Sequence, residues 1–131
     1  MRKAKWIKRD LIISPFSIGL CLSEGDFKKE LKRLKIPLSE CSPWIPGGAD
    51  GKLWEFRKVK GCHSQCCIVC IKARKKSTLL EVTGLIIHEA VHVWQAIKDT
   101  YGERYPSLEF EAYSIQSIAQ RLIKSYKGGL K

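Results

Sequence analysis

The feature that most constrains this chain is a pair of histidines four residues apart, with a glutamate directly after the first. His88, Glu89 and His92 form an H-E-x-x-H motif. The motif lies in a stretch, 79–97, that contains no proline and repeats apolar residues at helical spacing, and a Thr-x-x-Glu capping box at 78–81 marks its start. Positions i and i+4 of a helix lie one turn apart on the same face, so both imidazoles can reach one ion. The sequence therefore predicts a helix that carries a metal site.

Zinc is the ion that this arrangement suits best. It accepts neutral imidazole nitrogen, and a catalytic zinc has three protein ligands with a water in the fourth position. His88 and His92 supply two ligands, and Glu89 lies beside the first, where it can take a proton from that water. The alternative is a helix with two incidentally placed histidines, as in a metal-free helical interaction module. The motif favours one Zn²⁺ per chain, with Glu89 as the catalytic base.

Spacing excludes the nearest sources of a third ligand. The longer consensus H-E-x-x-H-x-x-G-x-x-H is not met, because Gln95 and Lys98 occupy its Gly and final His positions. Asp99 lies seven residues past His92, which on a continuing helix is about 10 Å along the axis and too far to share the ion. The third ligand has to come from a separate element.

A second helix is predicted directly after Pro106, and it offers two carboxylates. Ser107 is a suitable N-cap. Glu109 and Glu111 both fall in the first turn, where acids also favour the helix dipole, and on a helical wheel Glu111 lies closer to the apolar stripe. If this helix folds back antiparallel through 98–106, either acid can be the third ligand. The stripe consists of Leu108, Ala112, Ile115, Ala119 and Leu122.

Together these two segments resemble the gluzincin branch of the zinc metallopeptidases. The H-E-x-x-H motif is followed by Glu-Phe-Glu-Ala-Tyr at 109–113. Gluzincins take their third ligand from a glutamate on a downstream helix, often in Glu-x-x-Ala or Glu-x-x-Ser followed by an acid. Position by position, the resemblance implies Glu109 as the third ligand and Ala112 as the small residue. Tyr113 departs from the pattern, because the family more often has there an Asp that holds the first histidine. The resemblance covers about 79–126.

The resemblance implies a compact zincin-like domain that hydrolyses peptide bonds in a protein or peptide substrate. In size the chain also resembles the single-domain metallopeptidases found in phages and prophages. Such a reaction needs a further donor to the oxyanion that develops at the peptide carbonyl. The candidates for this donor are Tyr101, Tyr105, Tyr113 and His63.

The rest of the chain fits a single α+β domain spanning residues 1–131, since a chain of this length buries one core. Ser23 is a suitable N-cap for a first helix, and the Pro- and Gly-rich segment 39–51 is typical of a loop. A short antiparallel or mixed sheet is expected to pack on the metal helix and the ligand helix. Its strands are predicted at 52–60 and 66–73, which form an antiparallel pair, and within 12–22.

The cysteines are concentrated in one short segment. Cys62, Cys66, Cys67 and Cys70 lie inside nine residues, and Cys67-x-x-Cys70 has zinc-ligand spacing. In a strand, however, side chains alternate, so Cys67 and Cys70 point to opposite faces of the sheet. We therefore expect buried free thiols that pack as small apolar groups. A second zinc site and disulfides are the alternatives.

The chain is strongly basic, with a formal net charge of +11. Such an excess can bring a protein to nucleic acid. This gives a second functional hypothesis, a basic DNA-associated binding protein in which any zinc is only structural. No single basic helix or known nucleic-acid motif supports it further.

The N-terminus superficially resembles a signal peptide. A basic segment, 1–9, precedes the mostly apolar 11–22, but Pro15 interrupts the apolar run and no A-x-A site follows. No apolar segment reaches the length that a membrane span requires. The sequence therefore predicts a cytoplasmic protein without a membrane span.

Overall fold

The computed structural model describes residues 4–7, 14–56, 65–74 and 76–129, and it has the α+β architecture expected from the sequence. Among these residues no helix is both long enough and apolar enough to cross a membrane. The elements in chain order are β1 (Lys5–Trp6), β2 (Phe16–Cys21), α1 (Glu24–Arg33), a short 3₁₀ helix (Leu38–Glu40), β3 (Gly51–Phe56), β4 (Gln65–Ile71), α2 (Leu79–Tyr101) and α3 (Leu108–Gly129).

The four strands form one mixed sheet in the order β1-β2-β4-β3. β3 and β4 pair antiparallel, as predicted, with Leu53 opposite Val69. β2 runs parallel to β4, and Leu20 lies opposite the same Val69. β3 is therefore an edge strand, and the strand next to it is buried on both faces.

Helices cover the two faces of the sheet. α2 and α3 pack on one face, where Ile18 of β2 and Val69 of β4 join Ile86 and Ile118 in a continuous apolar core. α1 packs on the other face, where Phe27 contacts Trp54 of β3, with ring centroids 5.7 Å apart. Three layers result, with the predicted metal helix on one side of the sheet.

Local capping fixes the ends of the helices. Ser23 Oγ accepts a hydrogen bond from Asp26 N at the start of α1, and Thr78 Oγ1 accepts one from Glu81 N at the start of α2. Gly102 ends α2 in the left-handed conformation (φ 70°), which a glycine adopts without strain. α3 begins after Ser107, whose Oγ accepts from Phe110 N. The predicted starts of all three helices are confirmed.

The cysteine-rich strand is buried, as its composition predicts. Cys67 lies in the core beneath α2, whereas Cys66 and Cys70 lie in the core beneath α1. The alternation expected of a strand is therefore confirmed, and the described cysteines are free thiols. Burial raises the pKa of Cys21, the residue opposite Cys70 in β2, to about 12, with smaller effects from Glu30 and Asp26. Cys62 lies outside the described residues.

Candidate metal centre

The histidine pair lies on the exposed face of α2 with its ring nitrogens converging. The Nε2 atoms of His88 and His92 are 3.3 Å apart. Their ring planes are inclined at 76°, so the two nitrogens approach each other edge to face rather than by stacking. The i, i+4 spacing of the motif has the effect that the sequence predicts, since it brings two imidazole nitrogens to one point.

The spacing of these nitrogens can be compared with what a zinc ion needs. Two nitrogens bound tetrahedrally at 2.0–2.1 Å from zinc are roughly 3.3–3.4 Å from each other. The distance between the Nε2 atoms of His88 and His92 is 3.3 Å. The distance between the two nitrogens therefore matches that between two ligands of one zinc ion.

A neighbouring side chain holds the second histidine. Gln95, three residues further along α2, has its amide oxygen 2.8 Å from His92 Nδ1. An amide oxygen only accepts, so this contact is a hydrogen bond when Nδ1 carries the proton, a tautomer that leaves the lone pair on Nε2. Both side chains lie on the exposed face of the helix.

Glu89 turns away from this exposed face and is buried against the edge strand. It is 4% exposed, and its Oε2 has no hydrogen-bond partner among the described residues. A Cβ atom at Gly51 of β3 would be 3.2 Å from Glu89 Oε1, so only glycine leaves this carboxylate its full space. Burial raises the pKa of Glu89, and the nearby His92 and His88 offset part of the effect. The result is a buried carboxylate beside the histidine pair, and one of its oxygens has no hydrogen-bond partner among the described residues.

These three side chains border an open cleft of about 1030 Å³. β3 forms one wall through Gly51 and Leu53, and the exposed face of α2 forms the floor. The connection between α2 and α3 closes one end of the cleft. Its lining carries both signs of charge, contributed by Lys52, Glu55, Lys98, Asp99, Glu103 and Arg104.

The carboxylates predicted as third ligand lie elsewhere. Glu111 Oε2 accepts a hydrogen bond of 2.8 Å from Trp94 Nε1 and lies 3.8 Å from Lys98 Nζ. Trp94 is two residues past His92, about 200° around the helix, so Glu111 is held on a different face of α2. In this arrangement Glu111 stabilises the packing of α3 on α2.

Glu109 lies on the exposed side of α3. It precedes the fully buried Ile118 by nine residues, about two and a half helical turns, and therefore projects away from α2. Neither Glu109 nor Glu111 borders the cleft. Within the described parts of the chain, no group of three His, Cys, Asp or Glu side chains is arranged to hold a metal ion. The structure thus brings together His88, Glu89 and His92, but not Glu109.

The predicted oxyanion donors are dispersed. Tyr105 borders the cleft from the α2–α3 connection and is 93% exposed. Tyr101 and Tyr113 are exposed on α2 and α3 and do not border the cleft. His63 lies outside the described residues. Tyr105 is therefore the described candidate that borders the same cleft as the histidine pair.

Two residues of the site, Gln95 and Gly51, were not predicted from the sequence. Gln95 is one of the two residues that exclude the longer metal-binding consensus, yet its spacing from His92 already allowed a contact on the same helical face. Gly51 had been assigned to a loop, and its closeness to Glu89 depends on how α2 packs on β3. The first could have been found from spacing, whereas the second required the fold.

Comparison with known proteins leaves the function to be inferred from the chain itself. No protein-family model matches the sequence, and neither the curated proteins nor the solved structures include a match to it. The geometry of the cleft is therefore the basis for a functional inference.

Proposed function

We propose that this protein is a zinc-dependent peptidase whose reaction takes place in the cleft above α2. The observation that carries the proposal is the convergence of His88 and His92, with Nε2 atoms 3.3 Å apart, beside the buried carboxylate of Glu89, whose Oε2 has no partner among the described residues. The first two supply nitrogen ligands, and the third is the base.

Glu89 is suited to move a proton. A bound zinc would polarise the peptide carbonyl and make the attacking water more acidic. Glu89 takes the proton from that water and later delivers it to the leaving amine, a role for which burial prepares it by raising its pKa. Glu89 follows His88 directly and is therefore turned by about 100° around the helix. In this position its carboxylate borders the cleft but is not one of the zinc ligands.

In the described part of the chain no strand pairs with the outer edge of β3, and this edge supports a peptide as substrate. Lys72 N donates to Asp50 O at 2.8 Å, which makes Asp50 and Lys72 a hydrogen-bonded pair of the antiparallel ladder. By alternation, Gly51 and Leu53 turn their backbone N–H and C=O groups away from β4, toward this outer edge. Both residues border the cleft, so an extended peptide can pair with this strand while its backbone passes the histidines.

Two regions of the chain are candidates for the third zinc ligand. The resemblance gives Glu109, which reaches the histidines only if α3 changes its packing on α2. Glu103, by contrast, borders the cleft just past the C-terminal end of α2, whereas Asp99 borders it from within the helix, about 10 Å along the axis from His92. Zinc affinity measured by chelator competition on Glu109→Gln and Glu103→Gln decides between these two, with Asp99→Asn as the control that should bind zinc as wild type does. A loss confined to Glu109→Gln would mean that α3 repacks when zinc binds, and a loss confined to Glu103→Gln would place the ligand in the connection.

Metal analysis paired with a peptide-hydrolysis assay tests the proposal. We expect wild-type protein to bind one zinc per chain and His88→Ala to lose it. Glu89→Gln should keep zinc and lose hydrolysis, whereas Glu40→Gln, an exposed acid on the other side of the sheet, should keep both. Wild-type protein that binds no zinc would overturn the proposal in favour of a metal-free module. Zinc binding with no peptide hydrolysis in wild type would leave a structural metal and no enzyme.

A further inference from the structure

We infer that Gln95 is a positioning residue for the histidine pair, because it fixes the tautomer of His92 so that the Nε2 lone pair faces His88. The observation is the 2.8 Å contact between Gln95 Oε1 and His92 Nδ1. The inference rests on the proposed function, since it explains how His92 is prepared as a nitrogen ligand before any metal arrives.

The hydrogen-bond partner of one ring nitrogen of His92 determines which nitrogen carries the proton. A neutral imidazole has one N–H and one lone pair, and the partner of one nitrogen decides the state of the other. Gln95 Oε1 has no proton to give, so His92 Nδ1 is the donor and His92 Nε2 is the acceptor. In water, neutral histidine prefers the opposite tautomer, with the proton on Nε2, which blocks that nitrogen as a ligand. Gln95 therefore reverses the intrinsic preference of His92.

The contact between the two rings determines the tautomer of His88 as well. His92 Nε2 is an acceptor and lies 3.3 Å from His88 Nε2, so in the metal-free protein His88 donates its Nε2 proton across this contact. The two rings are thus expected in opposite tautomers. This pairing holds the two nitrogens at ligand spacing, and metal binding then requires the proton of His88 to move from Nε2 to Nδ1, with no net proton release from either neutral ring.

The position of Gln95 suits this role without adding charge. It lies three residues after His92 on the exposed face of α2, so its removal leaves the core intact. A carboxylate in the same place would accept the same proton. Gln95→Glu is therefore the variant expected to preserve the tautomer, and Gln95→Leu is the variant expected to lose it. Gln116, exposed on α3, gives the matched control Gln116→Leu.

The first measurement uses metal-free protein and does not depend on zinc. Long-range ¹H–¹⁵N correlation spectra at about pH 8.5, where imidazoles are neutral, report which ring nitrogen of each histidine carries the proton. We expect the Nδ1–H form for His92 and the Nε2–H form for His88 in wild type, Gln95→Glu and Gln116→Leu. In Gln95→Leu, His92 should change to the Nε2–H form. A wild-type His92 in the Nε2–H form, or no change in Gln95→Leu, would overturn the inference.

The second measurement asks whether the tautomer matters for the metal. Partners that orient a metal-binding histidine typically contribute about 10–100-fold to metal affinity. In chelator competition, Gln95→Leu should therefore bind zinc about 10–100-fold more weakly than wild type, with Gln95→Glu and Gln116→Leu close to wild type. Equal affinities in wild type and Gln95→Leu would overturn the positioning role. Failure of wild type to bind zinc would refute the proposed function, and the tautomer spectra would still decide the role of Gln95.

Discussion

Replacement of Glu89 by an apolar residue of similar length should stabilise this protein while it abolishes the proposed peptide hydrolysis. The carboxylate is 4% exposed, and its Oε2 has no hydrogen-bond partner among the described residues. A buried polar group without a partner costs about 1–3 kcal/mol relative to a satisfied or apolar one. Glu89→Met removes this cost and keeps most of the side-chain contacts with β3. We therefore expect the free energy of unfolding to rise by about 1–3 kcal/mol.

Urea unfolding of the chelator-treated protein measures this change. With a denaturant slope of about 2 kcal/mol per molar, the gain corresponds to a midpoint roughly 0.5–1.5 M higher. The control is Glu40→Met, which changes the same residue type at an exposed position and should stay within about 0.5 kcal/mol of wild type. Zinc content should be unchanged in both variants.

The opposite sign would refute the reasoning. If Glu89→Met unfolds at lower urea than wild type, the carboxylate has stabilising contacts in solution and its burial is structural. The interpretation of Glu89 as a buried base that destabilises the fold would then be wrong, whatever the activity of the variant. An unchanged midpoint would show that the buried carboxylate of Glu89 does not destabilise the folded protein.

Three further changes test neighbouring parts of the structure. Glu111→Leu leaves the buried Trp94 Nε1 without an acceptor, so urea unfolding should show a loss of about 1–3 kcal/mol, with zinc affinity retained if this acid is not a ligand. Gly51→Val places a side chain 3.2 Å from the basic carboxylate, so steady-state assays should show hydrolysis reduced at least about tenfold with zinc content unchanged. Cys67→Ala and Cys70→Ala should each cost about 1 kcal/mol through lost packing and leave one zinc per chain by metal analysis.

The elements with local signals could be predicted from the sequence. Ser23 and Thr78 cap their helices through side-chain hydrogen bonds that depend on residues three positions away. The buried strand β4 follows from its β-branched and apolar composition. The parallel pairing of β2 with β4 could not be predicted in this way, because it depends on a crossover through α1 and β3.

The candidate site could likewise be predicted only in part from the sequence. The convergence of His88 and His92 follows from helical spacing alone. The direction of Glu109 depends on which side of α3 packs on α2, and the buried Ile118 places Glu109 on the opposite side. Resemblance at the level of a motif gives residue types in order along the chain, but it does not give the rotation of one helix against another.

The composition of the buried stripe of α2 bears on whether the motif is incidental. Eight residues of this helix are buried, and Glu89 is the charged one among them. The buried residues three before and four after it, Ile86 and Val93, are apolar, so packing alone favours an apolar side chain at 89 as well. An incidental pair of surface histidines requires no carboxylate there. A site that needs a base does, and the substitution that packing favours is the one that removes the base. Stability and hydrolysis are therefore expected to change in opposite directions at this position.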